Sequence, residues 1–243
     1  ERLEDKNPLN EDGITPLHYA ASFGHLSIVK FLLPLLSNKN PKSGAQWDER
    51  TPLHQAAIYG HLHIVEYLIE QIVGDINPSQ SDGATALHLA AEGGHLNVVS
   101  FYTNRLPNPN PGKLTNDQFR GRTPLHWAAQ EGHLSVLQHI CNLLEDKNPQ
   151  DEQGCTPLHL AAIAGHLHII EYLIEQIDGD INPSQSDGAT ALHLAAEGGQ
   201  LNVVSFCTNR LPNPNPGYLT NDQFRGRTPL HEAAQRGHLQ VLQ

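Results

Sequence analysis

Seven times in 243 residues the chain spells Thr-Pro-Leu-His or Thr-Ala-Leu-His, beginning at Thr15, Thr51, Thr85, Thr123, Thr156, Thr190 and Thr228. The steps between them are 36, 34, 38, 33, 34 and 38 residues. A period of this size marks a stacked-repeat architecture, in which each unit is too small to bury a core and must pack on its neighbours. A larger period lies inside it. Residues 61–126 and 166–231 differ at only five of 66 positions (Val65/Ile170, Val73/Asp178, His95/Gln200, Tyr102/Cys207 and Lys113/Tyr218), so a block of three repeats is duplicated.

Each repeat reads as two short helices. In the first, Thr15 suits the N-cap and Pro16 the first helical turn, where a missing N–H costs nothing. Leu17, Ala20 and Ala21 then form a narrow face of mostly small residues that lets helices approach closely. Gly24 supplies a left-handed residue to stop that helix. Leu26, Ile28, Val29, Leu32 and Leu33 follow at helical spacing and predict a second helix. Pro34 falls inside it and is expected to kink it or end it early. Neither helix is long enough to be stable alone.

The full phrase, T-P-L-H-x-A-A-x-x-G-H-L-x-I/V-V at a spacing near 33, resembles the ankyrin repeat. Seven copies, the last incomplete, cover almost the whole chain, starting near residues 10, 46, 80, 118, 151, 185 and 223. The resemblance implies an all-α solenoid of helix-turn-helix units, a single array over residues 1–243 with hairpin fingers projecting between units. It also implies that the first histidine of each repeat hydrogen-bonds to the neighbouring repeat. The function it implies is protein recognition through a concave groove lined by the inner helices. The residues between the Ala-Ala and Gly-His pairs usually face that groove; here they include Phe23 and Tyr59, and Trp127 stands at the more ambiguous position after the phrase. Asn77 and Asn182, each in a Gly-Asp-Ile-Asn loop, resemble the asparagines that asparaginyl hydroxylases modify in some ankyrin repeats.

Asn-Pro marks the exit from every second helix and serves as a ruler. From its proline to the next threonine of the phrase the distance is 7 residues in four connections, 10 after Pro41, and 12 after Pro111 and Pro216. The extra length therefore lies in three fingers, residues 42–50, 112–122 and 217–227. These hold seven Lys/Arg against four Asp/Glu, whereas the rest of the chain holds eight against 22. Basic fingers carrying Trp47, Phe119 and Phe224 stand on an acidic body, and Arg and aromatic residues are enriched at protein interfaces. The candidate partner-binding residues are accordingly Trp47, Arg50, Lys113, Phe119, Arg120, Arg122, Tyr218, Phe224, Arg225 and Arg227, with Phe23, Tyr59 and Trp127 in the groove. Longer loops are also often neutral, since a few residues add little closure entropy. In the second finger Glu49 replaces the usual glycine, so the ordinary left-handed turn is not expected there unless the finger is reshaped.

Chemistry is not expected. Thirteen of the 16 histidines belong to the repeating phrase. His61 and His63, like His166 and His168, would stand about 200° apart on a helix, too far round to share an ion. No nucleophile–base pair and no Gly-rich phosphate loop occurs, so no catalytic residue, metal or cofactor is predicted. A net charge of −11 argues against nucleic acid, and no apolar run is long enough to cross a membrane. Three cysteines without metal spacing favour a reducing compartment, cytoplasm or nucleus. The absence of methionine suggests an excised segment, with both ends cut. The partner expected is another protein or an extended peptide, with acidic character suiting the fingers. Two alternatives stand beside it: a structural spacer, and a regulatory module of an enzyme whose catalytic domain lies elsewhere. The array is expected to be a monomer with end-to-end association as a further state.

Overall fold

The structure is a computed structural model that describes residues 7–72, 76–105, 121–177, 183–210 and 226–243. The chain divides into two compact units, residues 1–119 and 120–243. In the first, three helix pairs follow one another: α1 Pro16–Ser22 and α2 Leu26–Leu32, α3 Pro52–Ile58 and α4 Leu62–Gln71, α5 Ala86–Glu92 and α6 Leu96–Arg105. The second holds four pairs: α7 Pro124–Gln130 and α8 Leu134–Cys141, α9 Pro157–Ala164 and α10 Leu167–Gln176, α11 Ala191–Glu197 and α12 Leu201–Arg210, α13 Pro229–Arg236 and α14 Leu239–Leu242. Among the described residues there is no strand, only an isolated antiparallel bridge between Ser79 and Thr85 in one finger. The fold is an all-α repeat.

The start of each first helix is capped, and four of them are satisfied twice over among the described residues. The threonine caps it: Thr15 Oγ1 accepts from the N–H of His18, and the backbone N–H of Thr15 donates back to Nδ1 of the same histidine at 3.1 Å. This reciprocal box recurs at all seven phrases. The asparagine of the upstream Asn-Pro then adds a second acceptor. Oδ1 of Asn7, Asn40, Asn77 and Asn148 takes the N–H of Leu17 (3.0 Å), Leu53 (3.2 Å), Leu87 (3.3 Å) and Leu158 (3.2 Å). The Asn-Pro is therefore more than an exit turn: it reaches forward to hold the next helix, filling a donor that the first turn would leave orphaned.

Burial follows the predicted faces, except that Ile28 of α2 is exposed and Leu26 only half-buried. Leu17, Ala20 and Ala21, with their counterparts Leu53, Ala56 and Ala57 or Leu158, Ala161 and Ala162, are buried, as are Val29, Ile64, Val65, Leu68 and Ile169 on the second helices. Pro34 ends α2 as expected: the helix stops at Leu32 and passes into a 3₁₀ turn over Leu33–Leu35. The second finger is reshaped, the condition under which its left-handed turn was expected to survive. It contains a 3₁₀ turn over Ala45–Trp47, and the left-handed conformation is kept, carried by Asp48 (φ 58°) and Glu49 (φ 53°) rather than by glycine. The finger is reshaped and the turn survives at a steric cost.

At Gly24 and Gly132 the turn from first to second helix needs glycine for two reasons. Gly24 and Gly132 have φ of 75° and 77°, and a Cβ on either would stand 2.8 or 2.7 Å from the imidazole of the next repeat's Gly-His histidine, His61 or His166. Gly132→Ala is expected to destabilise the chain by more than the roughly 1 kcal/mol that a left-handed alanine alone costs, because the ring must also move. Chemical denaturation of the variant, compared with Gly237→Ala where a Cβ would meet nothing within 4 Å, separates the two contributions.

Candidate functional site

Two sets of histidines join the repeats, and both spend their donors on backbone carbonyls. The first set is the phrase histidine. Its Nδ1 accepts from the threonine N–H, so the proton sits on Nε2, which donates across the junction: His18 to Arg50 O (3.0 Å), His54 to Pro78 O (2.8 Å), His126 to Cys155 O (3.1 Å) and His159 to Pro183 O (3.0 Å). The second set is the Gly-His histidine, to which sequence reasoning assigned no partner. It donates backwards: His61 to Ser22 O, His95 to Ile58 O, His166 to Gln130 O and His238 to Glu197 O, all at 2.9 to 3.0 Å. Gln200 stands where the sixth would be, and its Nε2 reaches Ile163 O at 3.2 Å. The amide is tolerated because it supplies the same donor.

The 200° separation expected for His61 and His63 does not hold. His61 is the N-cap of α4, outside the helix, and the two rings meet at 6.0 Å between centroids; His166 and His168 repeat this at 5.9 Å. All four Nε2 atoms nevertheless face carbonyls, His63 that of Gly24 and His168 that of Gly132. Among the described residues no three His, Cys, Asp or Glu side chains gather as metal ligands would. Burial pushes the thiols of Cys141 up to about 11 and of Cys155 and Cys207 up to about 12, so all three are neutral at physiological pH.

The basic fingers are more occupied than their composition suggests. Arg50, Arg122 and Arg227 each stand immediately before a phrase threonine, and each guanidinium pairs within its own unit. Arg50 lies 3.6 Å from Asp48, and Arg227 lies 3.1 Å from Glu232. Arg122 donates to Gln130 Oε1 at 2.9 Å and faces the buried Asp151 at 3.5 Å, an electrostatic contact without a hydrogen bond. The other oxygen of Asp151 accepts the N–H groups of Gln153 and Cys155. Lys42 pairs with Glu49 at 2.6 Å.

Exposed apolar surface gathers instead on the first unit. Tyr19 and Phe23 lie four residues apart on one face of α1 and its C-cap; Tyr59 occupies the position of Phe23 in the next repeat, and all three are exposed. Ser22 Oγ donates to Gln55 Oε1 at 3.2 Å, tying α1 to α3 beneath them. Trp47 is exposed on the finger of the second repeat, whereas Trp127 is half-buried on α7. Asn77 is placed as a helix cap through its side-chain oxygen. Lys113, Phe119, Arg120, Tyr218, Phe224, Arg225 and Asn182 lie outside the described residues.

A family model of three ankyrin repeats matches overlapping stretches of the chain, residues 2–79, 34–111, 71–151, 104–184, 135–216 and 178–243. The chain belongs to the ankyrin-repeat family. Ankyrin repeats are in general protein–protein interaction modules, and the internal duplication extends the array with copies of the same unit. A search of the curated proteins finds no match. Among the described residues no helix of these ankyrin repeats is long and apolar enough to cross a membrane.

Two predictions come from the buried polar groups. Burial holds His54, His126 and His159 down at about 4, against an ordinary 6.5, and lowers His18 as well. The folded ankyrin repeats keep these imidazoles neutral while the unfolded chain protonates near 6.5. Their contribution is therefore complete above pH 6.5 and lost as the pH falls towards 4, at up to about 1.4 kcal/mol per histidine per pH unit. Thermal unfolding followed by circular dichroism should show a falling midpoint over that window, and His126→Gln should flatten the fall. Separately, Arg122→Ala should cost about 1–3 kcal/mol by leaving the Asp151 carboxylate without its counter-charge. Arg50→Ala, whose partner Asp48 is exposed, should stay within about 1 kcal/mol. Urea denaturation of the two variants checks the difference.

Proposed function

We propose that this ankyrin array is a recognition scaffold for an extended polypeptide, with apolar anchors seated on the inner helices and acidic residues reaching the lengthened fingers. The observation that carries the reading is the aromatic row on the first two repeats: Phe23 is 66% exposed and Tyr59 55%, at equivalent positions, with Tyr19 beside them. Exposed aromatic side chains on a rigid frame lose little entropy on binding and supply large contact areas, which is how interface hot spots are built. The histidine bonds beneath them hold the helices in place, so a partner would meet a surface formed in advance.

Arg50, Arg122 and Arg227 enter this reading as secondary contacts, because each already has an acidic neighbour. The charge expected to act on a partner is that of Lys113, Arg120 and Arg225, with Phe119, Tyr218 and Phe224 beside them in the two longest fingers. Trp47 and Trp127 complete the candidate surface. The alternative functions are a spacer between other domains and a regulatory module of an enzyme.

Selection of random peptides on the immobilised chain tests the proposal. Enriched peptides should combine aromatic or aliphatic anchors with Asp or Glu. Their affinity should fall at least about tenfold on Phe23→Ala/Tyr59→Ala and on Arg120→Glu/Arg225→Glu, as expected for hot-spot and charge contacts. Enrichment of nothing, or of peptides indifferent to both variants, would favour the spacer.

A further inference from the structure

Finger two stands apart from the other six at one backbone position. Two residues before each phrase threonine the chain turns left-handed, and six repeats place glycine there, with φ between 63° and 87°. The second repeat places Glu49 there (φ 53°), preceded by Asp48 (φ 58°), so two successive side chains stand in a region that disfavours them. The local return is small. Lys42 pairs with Glu49 at 2.6 Å, but both side chains are exposed, and an exposed ion pair offsets little. Backbone strain that its own surroundings do not offset is a mark of a functional site.

What the turn positions is Trp47. The finger's added length, 10 residues from Pro41 to Thr51 against 7 in the short fingers, goes into the 3₁₀ turn Ala45–Trp47, which ends on the indole and passes directly into Asp48. The backbone around it is tied down. Ser43 N–H donates to Arg50 O at 2.8 Å, and the carbonyl of Trp47 accepts from Arg50 N–H (3.2 Å) and from Ser43 Oγ (3.3 Å). Finger one is joined through Gly44 N–H to Asp12 O, and finger three through Ser81 N–H to Asp48 O. Neighbouring fingers thus flank finger two on both sides, and Trp47 still stays 45% exposed. The charged groups at this tip are already engaged: Lys42 pairs with Glu49, Arg50 with Asp48, and Asp12 accepts from the Gln46 amide. The indole is the large group left for a partner, and it suits an apolar one.

We propose that finger two is a preformed anchor site, in which Trp47 packs on an apolar side chain of the bound polypeptide and the left-handed pair Asp48–Glu49 is the positioning element that holds the indole out. The inference rests on the recognition reading above and adds to it a second contact, away from the inner helices, whose geometry costs the fold stability. An aromatic side chain held in place before binding loses little entropy when it meets a partner. Glu49→Gly suits the backbone of the turn better but opens other conformations to it, so the indole is held less firmly.

Two experiments test this. With Trp127→Phe, Trp47 is the only tryptophan of the chain, and its time-resolved fluorescence anisotropy reports its motion directly. Adding Glu49→Gly should leave the urea midpoint equal or higher, yet bring in a nanosecond loss of anisotropy that the parent lacks. Unchanged anisotropy, or a lowered midpoint, overturns the positioning role. Peptides enriched by selection on the immobilised wild-type chain then probe the contact. Their affinity should fall about tenfold on Trp47→Ala and about threefold on Glu49→Gly, the effects of truncating a hot-spot side chain and of loosening it. The double variant should bind no more weakly than Trp47→Ala alone, because Glu49 acts only through the indole. Matching circular dichroism spectra exclude misfolding of any variant. Enriched peptides that bind Trp47→Ala as tightly as the wild type overturn this inference and leave the aromatic row of the inner helices standing, whereas failure to enrich any peptide overturns both.

Discussion

The structure depends on a neutral imidazole held between a threonine cap and a backbone carbonyl of the next repeat. The cap fixes the ring: Thr15 N–H points at Nδ1 of His18, which places the proton on Nε2 and aims it at Arg50 O. A side chain that completes its own helix thereby also completes the junction. Burial keeps the ring uncharged, which suits it, since a cation there would be taken from water with only one carbonyl in return. The Gly-His histidine supplies a bond in the opposite direction, and the missing Cβ of the preceding glycine makes room for its ring. Short helices of four to ten residues, unstable alone, are stabilised by packing on their neighbours.

The fingers obey a second constraint, the satisfaction of charge near the backbone. An arginine precedes the phrase threonine only in the three lengthened fingers, and each one meets an acid inside its own unit. The Arg122–Asp151 contact differs from the others because the carboxylate is buried and also organises the turn to Cys155 through two backbone donors. Part of the positive charge that marks these fingers in the sequence is therefore used within the fold. The aromatic side chains of the first unit are less occupied: Phe23 stacks on His25, and both Phe23 and Tyr59 stay more than half exposed.

Much of this was legible in the residues. The threonine caps, the left-handed glycines, the stop at Pro34 and the buried faces of both helices follow from rules that act over three or four neighbours, and the seven copies of one phrase identified the family. Other features were not legible, because they depend on atoms far apart in the chain. Nothing near His61 announces that its partner is Ser22 O, 39 residues earlier. The forward reach of Asn40 to the N–H of Leu53 is likewise invisible to a reading that treats Asn-Pro as a local turn. The helical-wheel argument for His61 and His63 failed because a wheel applies only inside a helix, and His61 stands just before one. The left-handed turn was expected in the second finger only if that finger were reshaped; how it is reshaped was not legible, with Asp48 and Glu49 holding the left-handed conformation between the 3₁₀ turn of Ala45–Trp47 and the ion pair of Lys42 with Glu49.

By itself the sequence determined the repeat, its period, its helix boundaries and its family, because these rest on local backbone preference and on the spacing of apolar side chains. Only the tertiary structure decided which carbonyl each histidine takes and which arginines are spent on internal acids. Those outcomes depend on what lies across a junction. Arg50 and Arg122 occupy the same place before the same phrase, and one meets an exposed carboxylate and the other a buried one because different residues stand opposite them in the fold.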